Sequence, residues 1–456
     1  MPSLGSILSI ARSGLVTAEA GIQVASQNIS NANTPGYSRK RLSLTPGPQQ
    51  RLSDAIYGTG VRVEDVTRLR DRYLDATFRS ETSTQSEQQA RSGLLARIEG
   101  MLAEPTDRGL ANAIDAFYSS FSELASDPSS DTARTLVLEQ SRQVASRFGQ
   151  LATGLDQIRQ ETEDRVASGV QRANDIVRNV AQLNRRIVAD EAAGDTSGDL
   201  RDQRDLLVDE LAGLADIQVV DRQDGSVGIT IDGVAVVDGA FASELEIRLG
   251  AGGALEIARE GVANAIPSIG GALEGLVDVV NRDIPEVRTR IDDLVESFVQ
   301  SVNTIHNTGA NASDTTGIDL FDPAGVTADT IAVAITDAGD VVAGTPDVSG
   351  AYRAGENDVA IEIAGLRDVA LGGIGATAGE VLSSLVSDVA SAVRFTRETS
   401  EVARGMAEQA DTRRQEVSGV STDEELISLI QYQTAYGAAA RVISTADEML
   451  QTLLSI

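Results

Sequence analysis

The chain has no cysteine, no tryptophan, a single histidine (His306) and a single lysine (Lys40). Without cysteine there is no disulfide framework, no thiol nucleophile and no thiolate metal site. A P-loop needs a lysine directly after its glycines; Lys40 follows an arginine, so that phosphate chemistry is excluded. Aromatic residues are 3% of the chain, so the core is expected to be aliphatic and alanine-rich. Positive charge is scarce: 38 Lys+Arg face 68 Asp+Glu, a formal net charge of −30 over 456 residues. That balance argues against nucleic acid and anionic membrane surfaces, which need a cationic footprint. No apolar run approaches the roughly 18 residues of a membrane span. The opening "MPSLGSILSIARSG" has no basic start, long apolar run or cleavage site, and is not expected to be a secretory signal peptide.

What is present is helical periodicity. Leu4, Leu8, Ala11, Leu15, Ala18, Ile22, Ala25, Ile29 and Ala32 recur at alternating steps of four and three, a heptad seam. One track is large (Leu8, Leu15, Ile22, Ile29) and the other is alanine (Ala11, Ala18, Ala25, Ala32), which lets a partner helix approach closely. The last stretch repeats the pattern with Leu429, Tyr432, Tyr436, Ala439, Ile443, Ala446, Leu450 and Leu453. A flanking stripe (Ala435, Val442, Met449, Ile456) widens its apolar face. Each helix is too narrow-faced to make a core alone, so the economical reading pairs the two and leaves apolar surface for neighbours.

Between the ends, Leu110, Ile114, Phe117, Phe121 and Leu124 mark one helix. "SDPSSDTA" then supplies a break and capping residues, and a very long helix is expected over 131–193. Further helices are expected near 200–214, 271–307 with a kink at Pro285, and 376–414. Residues 216–262 contain β-branched runs with Asp-Gly and Gly-Gly turns, which are hairpin signals. Residues 312–365 also carry strand-like pieces, "TIAVAIT" and "DVAIEIAGL", which either join that β unit or decorate the rod. The fold expected is mainly α with inserted β: an elongated rod of several domains. A terminal-helix coiled coil (1–38 plus 416–456) would sit beside a helical bundle (39–214 plus 266–415, with 312–365 β-rich). A small β-rich outer domain (215–265) would be inserted in the bundle.

Residues for chemistry are sparse. His306 in "NTIHNTG" could be a base or a ligand; with no second histidine or cysteine it reads as a helix-end histidine facing the dipole. Carboxylate pairs such as Asp292–Asp293 and Asp423–Glu424 carry no signal in so acidic a chain. "GGIGATAG" (372–379) reads as a glycine-rich connector, and no GxSxG, HExxH, EF-hand or nucleotide fingerprint occurs. An enzyme is not expected, nor a cofactor or metal.

Each terminal seam is flanked by a polar break: "SQNISNANTPGYSR" (26–39) on one side and "RRQEVSGVSTDEE" on the other. The first carries Asn28, Asn31 and Asn33 ahead of Thr34-Pro35-Gly36-Tyr37, a turn in which Pro sets φ and Gly accepts positive φ. It resembles the N-terminal signature of the bacterial flagellar axial proteins, the rod, hook and hook-associated proteins. "GVSTDEELISLIQYQTAYGAAARVISTADEMLQTLL" resembles their C-terminal signature, in a form that leans to the hook-associated branch. "GDTSGDLRDQRDLLVDELAGLADIQVVDRQDGSVGITIDG" (194–233) and "IDDLVESFVQSVNTIHNTG" are similar to that branch's middle. "GDLRDQRD" and "GIDLFDPAG" depart from its usual runs.

The resemblance implies a structural role: a ring of copies joining hook to filament. Its expected partners are itself, the hook protein, a second hook-associated junction protein, a cytosolic export chaperone on the C-terminal helix, and the type III export apparatus. Nucleic acid and membrane insertion are not expected. The location implied is extracellular, in the flagellum, reached without a cleavable signal. Alternatives are a hook or distal rod subunit, or an unrelated helical scaffold.

Overall fold

The computed structural model describes residues 4–52, 55–102, 109–194 and 197–454. Helix α1 (Leu4–Asn31) leads through the asparagine-rich turn into strand β1 (Lys40–Pro46). Strands β2 (Gln50–Leu52) and β3 (Ala55–Tyr57) form a small extension, and β4 (Val61–Arg68) returns antiparallel to β1. Then come α2 (Arg72–Leu102), α3 (Leu110–Ser126) and α4 (Asp131–Ala192), whose 62 residues make the spine. At 1.5 Å per residue that is about 90 Å of helix. Ser130 caps its start by accepting from the Ala133 N–H at 3.2 Å, the cap foreseen in "SDPSSDTA".

Helix α5 (Gly198–Leu214) runs back along α4 into the β unit. Strands β5 (Ile217–Asp221), β6 (Val227–Ile231), β7 (Val234–Asp238) and β8 (Phe241–Ala242) form one antiparallel sheet in that order. Strands β9 (Leu245–Leu249) and β10 (Leu255–Arg259) form a separate hairpin. The β6–β7 turn is Asp232-Gly233, both at positive φ (45° and 76°), which matches the twist of paired strands.

Helix α6 (Gly271–Asp278) passes through a π turn (Val279–Asp283) into α7 (Ile284–His306). The discontinuity expected at Pro285 appears as this wide turn, in which the Ile284 N–H bonds Val279 O five residues back. Helices α8 (Asp358–Gly365), α9 (Ala378–Ser418) and α10 (Thr422–Leu454) complete the chain. Thr377 and Glu380 close a capping box on α9, at the end of the glycine-rich connector.

The core lies between α3, α4 and α7. Five of the eight phenylalanines meet there with one tyrosine: Phe117, Tyr118, Phe121, Phe148, Phe298 and Phe321 are all fully buried, with neighbouring ring centroids 5.2–6.5 Å apart in edge and tilted arrangements. The expectation of a purely aliphatic core is corrected at this point. Along the rest of α4 the buried stripe is aliphatic, from Leu151 and Leu155 to Val180 and Ile187.

The strands expected in 312–365 are absent. "DVAIEIAGL" is mostly helix α8, and "TIAVAIT" has no strand, only a lone bridge between Phe321 and Val333. Leu320, Phe321, Val341 and Val342 are nevertheless fully buried. Backbone polar groups buried without a sheet need side-chain partners, and helix side chains supply them. Asn303 donates to Phe321 O at 2.7 Å and accepts from the N–H groups of Leu320 and Phe321. The segment therefore decorates the rod and does not join the β sheet.

Candidate functional site

The two polar breaks that flank the terminal helices meet. Asn28, in the last turns of α1, is fully buried. Its Nδ2 donates to Lys40 O at 2.8 Å and to Glu425 Oε2 at 3.0 Å. Its Oδ1 accepts from Lys40 N at 3.0 Å and from the Tyr37 hydroxyl at 2.9 Å. One amide thus joins α1, the turn, β1 and the first turn of α10. Arg39 completes the joint: Nε donates to Glu425 at 2.7 Å, a second guanidinium nitrogen to Glu424 at 2.7 Å, and its backbone N–H to Ser418 O at 2.8 Å. Burial first, and the charges of Asp202, Asp199 and Glu425 after it, push the Tyr37 phenol pKa up, so it stays a donor.

Asn31 Nδ2 bonds Gln27 O at 2.9 Å, and Thr34 Oγ1 reaches Asn31 Oδ1 at 3.3 Å. Asn33, Thr34, Pro35 and Gly36 are exposed, and Gly36 has φ 78°, the left-handed region for which glycine is needed there. The asparagine-rich stretch therefore divides its labour: Asn28 joins, Asn31 and Thr34 end the helix, and Pro35-Gly36 turns the chain.

From this joint α1 and α10 run antiparallel in one register. A methyl placed on Gly14 would lie 3.8 Å from the Ala439 Cβ, and one on Gly21 only 2.5 Å from the Tyr432 ring. With Asn28 on Glu425, each step of seven along α1 meets a step of seven back along α10. The small track faces the partner: Ala11, Ala18 and Ala25 are buried, whereas Leu8, Leu15, Ile22 and Ile29 are half-buried. On α10, Ala446 is buried and Leu429, Tyr432, Ala439, Ile443 and Leu450 are half-buried. Tyr436 is exposed, and the Leu453 side chain and Ile456 lie outside the described residues. Leu426, Ile427, Ile430, Val442 and Met449 of α10, with Ile10 and Val16 of α1, present apolar surface to solvent.

Beneath the joint lies a charge ladder that sequence reading did not foresee. Asp199, Asp202, Asp205 and Asp209 fall on one face of α5 by their spacing of three, three and four. Lys40 reaches Asp199 at 2.5 Å; Arg68 reaches Asp202 at 2.7 Å and Asp205 at 2.6 Å; Arg70 reaches Asp205 at 3.0 Å. Arg79 and Arg414 hold Asp209 at 2.7 and 2.6 Å. Burial pushes the Asp205 carboxyl up, but Arg70, Arg68 and Arg204 outweigh it and hold the group below the usual carboxylate range. Arg414 also stacks on Phe78 at 4.0 Å, which ties α9 to α2. The cations come from the β1–β4 hairpin and the residues just after it, from α2 and from α9, so the ladder holds the hairpin beside the joint to α5. The signal was present in the regular aspartates of "GDLRDQRDLLVDEL"; their partners, more than a hundred positions away, were not legible.

His306 is no surface cation at a helix end, which corrects the dipole reading. It is fully buried, its Nδ1 lies 2.7 Å from Ile318 O and its Nε2 accepts from Val342 N at 3.0 Å. Among the described residues no group of three or more acidic or histidine side chains is placed to hold a metal, and no helix is long and apolar enough to cross a membrane.

The geometry is that of a joint between the two ends of the chain, with exposed apolar residues on the helices that run from it. The family profile of the flagellar hook-associated protein FlgK helical domain matches residues 95–321, and that of the flagellar basal body rod FlgEFG protein C-terminal region matches residues 412–456. Together they cover more than half of the chain. Flagellar hook-associated protein 1 of Bacillus subtilis is 26% identical over 98% of this chain and 97% of its own length. The chain belongs to the flagellar hook-associated protein 1 family. Its relative in Escherichia coli is 24% identical over 99% of this chain and all of its own length. The flagellar hook junction protein FlgK of Burkholderia pseudomallei has the same fold, with a TM-score of 0.67 and 14% identity over 75% of this chain. The second profile begins inside α9 and runs through α10, so the family's C-terminal signature is the segment that carries Arg414, Glu424 and Glu425.

Proposed function

We propose that this chain is a structural subunit of the bacterial flagellum, seated at the junction between hook and filament through its paired terminal helices. One observation carries the reading: the two axial signatures, at opposite ends of the chain, close on each other through Asn28, Arg39 and Glu425. The division that follows is a terminal module (1–38 plus 416–456), a helical rod (39–214 plus 266–415) and an inserted β unit (215–265). The large track (Leu8, Leu15, Ile22, Ile29) and the α10 seam (Leu429 to Leu453) then serve as contact surface between copies. The hook protein and a second hook-associated protein would adjoin at the two faces of the ring.

Before assembly, the exposed apolar residues of α10 need cover, which suits an export chaperone bound to that helix. A cysteine-free, acidic chain suits passage through a type III export channel to the outside of the cell. No catalytic role is proposed; the relatives named above are structural flagellar proteins. Immunogold electron microscopy of intact flagella, with antibody to residues 217–259, tests the assignment. A single narrow band at the hook–filament boundary is expected. Label along the hook or rod would move the chain to another axial class, and no flagellar label would refute the reading.

A further inference from the structure

The segment between α7 and α8 is buried without a sheet, and two side chains tie it from opposite sides. His306 holds two passes at once, Ile318 through Nδ1 at 2.7 Å and Val342 through Nε2 at 3.0 Å. Since Val342 N–H can only donate, Nε2 must be unprotonated and Nδ1 must carry the hydrogen that Ile318 O accepts. The residue before it, Val341, is held by Arg134 of α4 through its carbonyl oxygen. Arg134 is itself buried, and its other partners are Pro128 O at 2.9 Å and the Tyr352 hydroxyl at 3.2 Å. Among the described residues it has no carboxylate partner, so its charge stands beside His306 unneutralised. The charged groups acting on the imidazole are Asp319 and Asp340 from the segment and Arg134 from α4.

We propose that His306 is an acid-released latch: its protonation frees the 338–345 pass from the helical body while the helices stay folded. A proton on Nε2 replaces the acceptor that Val342 N–H uses with a donor. It also sets a second buried cation beside Arg134. Both changes favour release, because a buried N–H without a partner and a buried unpaired charge are each costly.

The direction of the pH effect follows from burial. Desolvation is the largest influence, and it lowers the imidazole from its ordinary value near 6.5 to about 4 while the latch is closed. The released histidine takes up a proton near its ordinary value. Opening therefore becomes easier as pH falls through 6.5, and the effect levels off once the closed form also protonates near 4. Between pH 7 and pH 5 the opening equilibrium should rise about twentyfold. That window stays above the isoelectric point near 4.4.

Hydrogen exchange of the full chain at pH 7 and pH 5, corrected for the intrinsic rate at each pH, reads the latch by mass spectrometry. The expected result is about twentyfold faster corrected exchange of peptides covering 338–345 at pH 5, reporting the shifted opening equilibrium, with no change in α4. In His306→Gln the same peptides should show no such rise. Unchanged protection in the wild type, an equal rise in His306→Gln, or loss of 338–345 together with α4 would each overturn the proposal. Should the variant not fold, the chain's one histidine can be titrated by NMR in the wild type. A folded-state value near 4 is expected, and one near 6.5 would refute the latch.

Discussion

Asn28, Asn174, Asn184, Asn281 and Asn303 each sit on helical backbone and hold both the N–H and the C=O of one residue in a non-helical segment. Their targets are Lys40, Leu245, Val227, Leu255 and Phe321, at 2.7 to 3.1 Å. Four of these targets open a strand. A carboxamide has a donor and an acceptor side by side, so it can stand in for the edge of a neighbouring strand. This is how helices secure β segments that have too few strands to support themselves. Asn28 does so at the joint between the two ends of the chain, and its removal would leave Lys40 and the Glu425 carboxylate short of partners. Asn28→Ala should destabilise the joint by about 2 to 4 kcal/mol, since buried groups left unpaired lose their full compensation. Limited proteolysis should then cut within 33–38 much faster, with the helical content of the rod unchanged; an unaltered cleavage rate would rule out the joint role. The motif around Asn28 was legible in the sequence because a turn signature is local. Its partner Glu425 was not, because it lies 397 positions away.

Among the elements, α1 and α10 are held by a thin seam. The alanine track and the two glycines bring the backbones close, and the large residues stay half-exposed at the edges. Such a seam tolerates little volume at its centre. Gly21→Leu would drive a side chain into the Tyr432 ring and part the helices, and Ile443→Asp would place a charge on the apolar face. Both variants should abolish swimming while circular dichroism and thermal unfolding of the rod stay near wild type; normal motility in both would contradict the seam. The helices α1, α4, α7 and α10 were legible because their apolar periodicity is long and regular. Helix α2 was missed: "RSETSTQSEQQARSG" is polar nearly throughout, and it is held as a helix by packing against α9 and α6. The β1–β4 hairpin was also missed, although "KRLSLTP" and "VRVEDVTR" alternate as strands do. The strands wrongly expected in 312–365 had β-branched composition, but helix side chains outcompeted a sheet for their backbone.

At the scale of the molecule, the charge ladder holds the β1–β4 hairpin beside the joint to α5, and the aromatic cluster lies far along α4. The end made by α1 and α10 has a thin seam and leaves apolar residues exposed. Helices as narrow-faced as α1 and α10 gain most of their stability from packing, and neighbours in an assembly can supply what one chain cannot. Val442 lies on the α10 stripe that solvent reaches in the single chain, where it is 43% exposed. The chain has no cysteine, so a Val442→Cys variant carries one thiol at one known place. The decisive measurement is maleimide labelling of that thiol in the purified chain and in intact flagella from cells that swim on the variant. Rapid labelling of the free chain and near-complete protection in the flagellum are predicted. Equal labelling in both would show that the terminal helices are not the surface by which this protein assembles.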